Sequence, residues 1–291
     1  MLKIIKKLIL SSVCISLVGV ATVATAADPD QNENWLKVRK MMFQDRPIKA
    51  MAKDVIQLWV PPRAEDAAVV PVMMRTKIDQ TPERYIKNVW LMIDNNPSPV
   101  GVKFTMTPES GRADIETRVR VETYSPMRAV AEMNDGSLWM DTSTIIASGG
   151  CSAPAPKNMA AVKSNMGKMK VRVDDIIEKD KPAMVQLMIH HPNWSGLAMN
   201  DTDVQYVKQV NVYYAEKLVM SADIDFTISE NPNFRFYFLP KAQGELKAEI
   251  VDSANLRSET KLAIRGMGLQ PEDGSRFLDP RHPYAADLDL F

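Results

Sequence analysis

The chain is poorest in cysteine. Its 291 residues include two, Cys14 and Cys151. Cys14 lies in an N-terminal stretch that reads as a leader, so one thiol is left for the remaining sequence. A lone thiol excludes an internal disulfide framework and a Cys-X-X-Cys redox pair. In an exported protein it points to an intermolecular bond or a reactive thiol. Histidine is nearly as scarce, with three residues. Two adjacent ones, His190 and His191, with no thiolate beside them do not make a zinc-type ligand set, and no metal or cofactor is expected. Excess charge is missing too: 36 basic side chains balance 36 acidic ones. A neutral chain has no basic face with which to neutralise phosphates, so nucleic acid is not an expected partner. Aromatic residues make up 7%. No Ser-His-Asp arrangement or assignable carboxylate pair emerges, and the chain is not expected to be an enzyme.

What is present begins with a secretory pattern. Lys3, Lys6 and Lys7 precede an apolar run from Leu8 to Val23, and Ala24-Thr25-Ala26 supplies small residues for cleavage. Residues 1–26 therefore read as a signal peptide directing the protein to the periplasm without a membrane anchor. Val13 stands before Cys14 where a lipidation cysteine needs a small residue. Residues 27–54 form an N-terminal helical segment, with Asn34 as the helix cap, a helix over Trp35 to Phe43, and a second short helix over Ile48 to Lys53.

From Val55 the texture is that of strands. Short β-rich runs are separated by Pro61-Pro62, Asp94-Asn95-Asn96-Pro97 and Pro108-Glu109-Ser110-Gly111. Ile115, Thr117, Val119 and Val121 alternate with charged residues, as a half-buried strand requires. Asn134-Asp135-Gly136 predicts a hairpin. Six or seven such strands predict an antiparallel β-sandwich over 55–151. A linker follows at 152–168, then a second sandwich over 169–267. There a hairpin turns at Ala215-Glu216, and Phe234, Phe236 and Phe238 alternate toward a core or domain interface. Residues 268–291 read as a polar tail. The fold class is all-β: two immunoglobulin-like sandwiches in tandem with short N-terminal helical segments.

The candidate site lies where the two halves meet. Gly149 and Gly150 precede Cys151, and Ser152-Ala153-Pro154-Ala155-Pro156 follows it. Glycines widen the accessible backbone space on one side, and alternating prolines favour extended, unpaired chain on the other. The flanks predict a thiol displayed outward, not packed.

Particular segments carry a family resemblance. Val69-Val70-Pro71-Val72, Asn95 through Val100, Ala129 through Ser137 and the ending Gly149-Gly150-Cys151 resemble the Sox sulfur-carrier subunit Y. His191-Pro192 with Gly196, Phe226 through Pro232 and Phe234 through Phe238 resemble its partner, subunit Z. Together the chain resembles the fused form, the quinoprotein dehydrogenase-associated SoxYZ-like carrier. The resemblance implies a heterodimer-like pairing of the two domains within one chain, which raises their effective concentration. It also implies an arm whose cysteine carries sulfur covalently between periplasmic redox enzymes, as in thiosulfate oxidation. Carried over residue by residue, Cys151 is the covalent attachment point, and Gly149 and Gly150 form the flexible arm. Ser152 and Ala153 stand where the family has two more glycines, so the arm is tethered on both sides and would enter a partner as a loop. The alternative is an accessory binding module of a periplasmic quinoprotein dehydrogenase with no covalent cargo. A thiol oxidoreductase is the weakest option, since it would need a second, resolving thiol.

Overall fold

The computed structural model describes residues 28–153, 159–198, 204–265 and 268–269. The leader and most of the tail lie outside the described residues.

In the first half, helix α1 (Glu33–Phe43) is followed by β1 (Ile48–Lys49), β2 (Ile56–Trp59), β3 (Val70–Thr76), β4 (Ile86–Ile93), β5 (Val100–Met106), β6 (Ile115–Val119), β7 (Ser125–Met133) and β8 (Leu138–Ile145). The second half opens with helix α2 (Met159–Asn165), which falls in the expected linker. It continues through β9 (Met169–Val173), β10 (Ile176–Ile177), β11 (Ala183–Ile189), β12 (Trp194–Ser195), β13 (Val204–Gln205), β14 (Val207–Tyr214), β15 (Lys217–Ile224), β16 (Asn233–Phe238), β17 (Gly244–Asp252), β18 (Arg257–Ile264) and β19 (Gly268–Leu269). The all-β expectation holds.

The two halves share their sheets. A nine-stranded sheet runs β1-β8-β7-β4-β5-β15-β14-β17-β18, and a six-stranded sheet runs β2-β3-β6-β16-β11-β9. The halves meet by edge-to-edge antiparallel pairing. In the larger sheet β5 lies on β15, with Met106 opposite Met220 and Val102 opposite Ile224. In the smaller one Glu116 of β6 lies opposite Arg235 of β16. Two sandwiches in tandem are thus joined into one long sandwich with a continuous core. Phe234, Phe236 and Phe238 all point into it with no exposed surface. Phe234 meets Phe104 of the first half edge to face, ring centroids 6.0 Å apart. That geometry suits the positive edge and negative face of aromatic rings.

Local rules hold at the turns. Ala215 and Glu216 both adopt positive φ, 47° and 63°, as a two-residue turn must to match strand twist. Gly136 (φ 85°) closes the β7–β8 hairpin.

Two expectations at the N-terminus are corrected. The cap of α1 is Asn32, whose side chain accepts from the Asn34 and Trp35 amides at 2.9 and 3.2 Å. Asn34 itself lies inside the first turn. Ile48 to Lys53 is not helical. Ile48 and Lys49 pair in parallel with Leu138 and Trp139, because a sheet edge beside them satisfies backbone groups that so short a helix leaves open. Helix α1 packs on the outer face of the large sheet. There Trp35, Val38 and Phe43 join Trp90, Met92, Val130, Leu138 and Met140 in a second core.

Candidate functional site at the domain junction

Beyond β8 the chain first borrows partners from the loop after β2. Ile146 donates to Pro62 O and its own carbonyl accepts from Ala64 N. The Gly-Gly-Cys segment then lies down along the end of β6. Gly149 N donates to Glu122 O at 2.7 Å, and Gly150 N to Val121 O at 3.1 Å. Each glycine has its own reason. Gly149 sits at φ +76°, where a side chain is strained. Gly150 fills a slot with no room for one: a Cβ there would meet Ala67 O at 2.0 Å and Val121 O at 2.6 Å.

Glu122 holds the next two residues. Its Oε2 accepts from Cys151 N at 2.9 Å and from Ser152 N at 3.2 Å, and its Oε1 accepts from Ser152 Oγ at 3.1 Å. The second domain contributes Ser195, whose Oγ donates to Cys151 O at 2.6 Å. Ser195 stands at the end of a loop that buried polar groups fix in place. His191 Nδ1 accepts from Asn193 N at 3.0 Å, which leaves the proton on Nε2, 3.4 Å from Asp252 Oδ2. Gln205 Nε2 donates to the same carboxylate oxygen at 2.7 Å. Asn193 Nδ2 donates to Ile228 O, and Asn193 Oδ1 accepts from Val207 N. Burial pushes the His191 pKa down against the pull of Asp252, so the ring is neutral at pH 7 and structural. His190, the first residue past β11, faces solvent.

Arg120 sits between the halves. Its Nη2 donates to Pro192 O and Asn193 O, both at 3.2 Å, and its backbone N–H donates to Thr227 O at 2.7 Å. The residue is 6% exposed and its Nε has no hydrogen-bond partner.

The expectation of a displayed thiol is therefore corrected. Cys151 is fully buried, and the Gly149–Gly150 arm is docked. The glycines that were expected to loosen the segment instead let it pass between backbone carbonyls where no side chain fits. Burial is the first cause that pushes the thiol pKa up to about 12. The Glu122 carboxylate adds to the rise, Arg120 opposes it, and Asp225 adds again. At pH 7 the docked thiol is protonated. The docked state protects the thiol; it does not activate it. Glu122, Ser195 and Arg120 were not among the residues singled out from sequence. They lie 29, 44 and 31 positions from Cys151, so no local pattern links them to it. Among the described residues no three His, Cys, Asp or Glu side chains converge to hold a metal ion.

Comparison with known families decides what the junction joins. Residues 39–151 match the model of sulfur oxidation protein SoxY, and residues 169–263 match that of sulphur oxidation protein SoxZ. The chain is a fused SoxY–SoxZ protein. The SoxY match ends on Cys151 itself, so the docked arm is the end of the SoxY domain, and Ser195 reaches it from the SoxZ domain. Among solved structures, the sulfur carrier protein SoxY from Chlorobium limicola f thiosulfatophilum is similar at 22% identity and a TM-score of 0.32, covering 38% of this chain and 89% of its own. The superoxide reductase (neelaredoxin) from Ignicoccus hospitalis is similar at 11% identity and a TM-score of 0.31, covering 34% of this chain and 94% of its own. No curated protein sequence matches the chain. The pairing of the two domains is intramolecular, through both sheets and through Ser195.

Proposed function

We propose that this protein is a periplasmic carrier, not itself a catalyst, that holds a sulfur intermediate covalently on Cys151 and presents it to partner enzymes of sulfur oxidation. The observation that carries the reading is the coincidence of the SoxY match's last residue with the sole cysteine among the described residues. The leader-like residues 1–26 support export.

The chemistry suits a thiolate on a segment that can leave its cradle. The attack of a Cys151 thiolate on the outer sulfur of a donor persulfide, R–S–SH, forms a new S–S bond and expels R–S⁻. Cys151 is left as a persulfide, with no net oxidation. The docked thiol, with its pKa near 12, is protonated and out of reach, so transfer requires the arm to undock. Hydrogen bonds from the arm's four amides and the Ser152 hydroxyl end on Glu122 and Val121, and opening exchanges them for water. Because the chain continues past Ser152, the open arm is a loop, and the partner's cleft must admit two backbone segments.

The test is an intact mass of the protein purified from its native compartment, with and without reductant. Added mass on Cys151 that reductant removes is the expected result, and Cys151→Ser should fold and lose it. A bare thiol while partner enzymes are expressed would overturn the carrier reading. The burial of Cys151 favours a second reading, in which the cysteine packs as a small apolar residue and the protein is a docking module, for instance for a periplasmic quinoprotein dehydrogenase. Pull-down separates the two, because docking should survive Cys151→Ser.

A further inference from the structure

The arm is held in its cradle by a carboxylate, and the cradle is electrostatically unfit for a negative sulfur. Glu122 takes the Cys151 and Ser152 amides and the Ser152 hydroxyl at 2.9–3.2 Å, so it is beside the thiol whenever the arm is docked. Both Glu122 and Asp225 act against an anion on the sulfur, and Glu122 acts more strongly than the opposing Arg120. Arg120 is committed to Pro192 O and Asn193 O, which fixes it as part of the frame. The sulfur has no exposed surface, so a charge placed there has no water to screen it. The arm cannot shift sideways to make room, because Gly150 is wedged against Ala67 O and Val121 O.

We propose that Glu122 latches the arm only while Cys151 is neutral, and that loading the thiol with an anionic sulfur group, such as an ionised persulfide or a sulfonate-bearing disulfide, releases the arm. The cargo would then control its own presentation: the empty arm is stored, the loaded arm is offered. The proposal rests on the carrier reading of Cys151.

The full chain can be tested without its cargo or its enzymes. Methanethiosulfonate reagents place either an anionic sulfonatoethyl-thio group or a cationic trimethylammonioethyl-thio group of comparable size on Cys151. The thiolate attacks the reagent's sulfenyl sulfur, a disulfide forms, and methanesulfinate leaves with the electron pair. Amide hydrogen exchange at residues 149–152 then reports docking. The expected result is exchange at least about tenfold faster in the anionic adduct than in the cationic one, with the gap falling below about twofold in Glu122→Gln. The unmodified variant should also exchange faster at these amides than unmodified wild type. Equal exchange in the two wild-type adducts, or a gap that survives Glu122→Gln, would overturn the latch. A bare thiol in the native protein would overturn the carrier reading and leave the adduct comparison standing, so the two failures are distinguishable.

Discussion

The SoxY and SoxZ halves contribute similar strands to the same sheets, but they bury them differently. In the SoxY half both faces of the large sheet are covered: β4 and β7 are buried almost end to end, because α1 closes the outer face with Trp35 and Phe43. In the SoxZ half the same sheet keeps one face in water. There β18 alternates exposed and partly buried residues, and the outer face carries ion pairs such as Lys261–Glu245 at 3.2 Å. One sheet therefore runs from a three-layer region into a two-layer one. The difference teaches where rigidity is placed. The third layer backs the large sheet, whereas the arm docks on Val121, Glu122 and Ala67 at the end of the smaller sheet and on Ser195 from one loop of the SoxZ half.

Removing the charge that pins α1 should break this comparison most severely. Arg128 is fully buried, bonds to Asp94 and Asp30 at 2.9 Å each, donates to Pro29 O, and stacks over Trp35 at 4.3 Å. Arg128→Ala leaves Asp94 buried without its cation, and is expected to cost about 3–5 kcal/mol in urea unfolding. The third layer should loosen first, reported by faster amide exchange along α1.

Next in size is Gly150→Ala, which adds a methyl where two carbonyls leave no space. The arm should undock, and labelling of Cys151 by a maleimide at pH 7.5 should accelerate at least about tenfold. The unfolding midpoint should move little, since the sheets do not depend on the arm.

Alkaline pH sharpens the same point. The docked thiol pKa is raised from an ordinary value of 9.0 to about 12. Docking is therefore undiminished below pH 9 and is lost progressively from pH 9 toward pH 12, as the undocked thiol ionises and the docked one does not. Amide exchange at residues 149–152, compared with Cys151→Ser, should show that loss of protection only when the thiol is present.

Smallest of all should be Lys261→Ala on the uncovered face of the SoxZ half. Both partners of that ion pair are nearly half exposed, so the change is expected to stay within about 1 kcal/mol. A cost approaching that of Arg128→Ala would mean the SoxZ face is covered after all.

How much of this is legible in sequence follows from the range of the interactions. Strands declare themselves where burial is one-sided: the alternation at Ile115 to Val119 and at Phe234 to Phe238 names the inward face correctly, whereas Arg120, expected on the water face, is buried between the halves. Turns that need positive φ are also local, and Asn134-Asp135-Gly136 is where a hairpin forms. The edge-to-edge junction is not local. Nothing in β5 or β15 marks it as an inner strand of a nine-stranded sheet rather than an edge. The docked arm is the sharpest case. Gly-Gly beside a cysteine reads as looseness when the neighbours are unknown, whereas Ala67 O and Val121 O turn Gly150 into a close-packed contact. Residues that build the cradle announced themselves only as an unremarked Glu122 after a strand and a Ser195 after His191-Pro192.

The shared sheets have a last consequence for production and handling of the protein. Split into two polypeptides, each half would expose the rows of amide and carbonyl groups that β5 and β15 now exchange with each other from Val102 to Met106 and Met220 to Ile224. Bare strand edges of this kind recruit whatever strand arrives first, including a second copy of themselves. A single polypeptide raises the effective concentration of the correct pairing, so separating the halves is expected to increase clumping during folding.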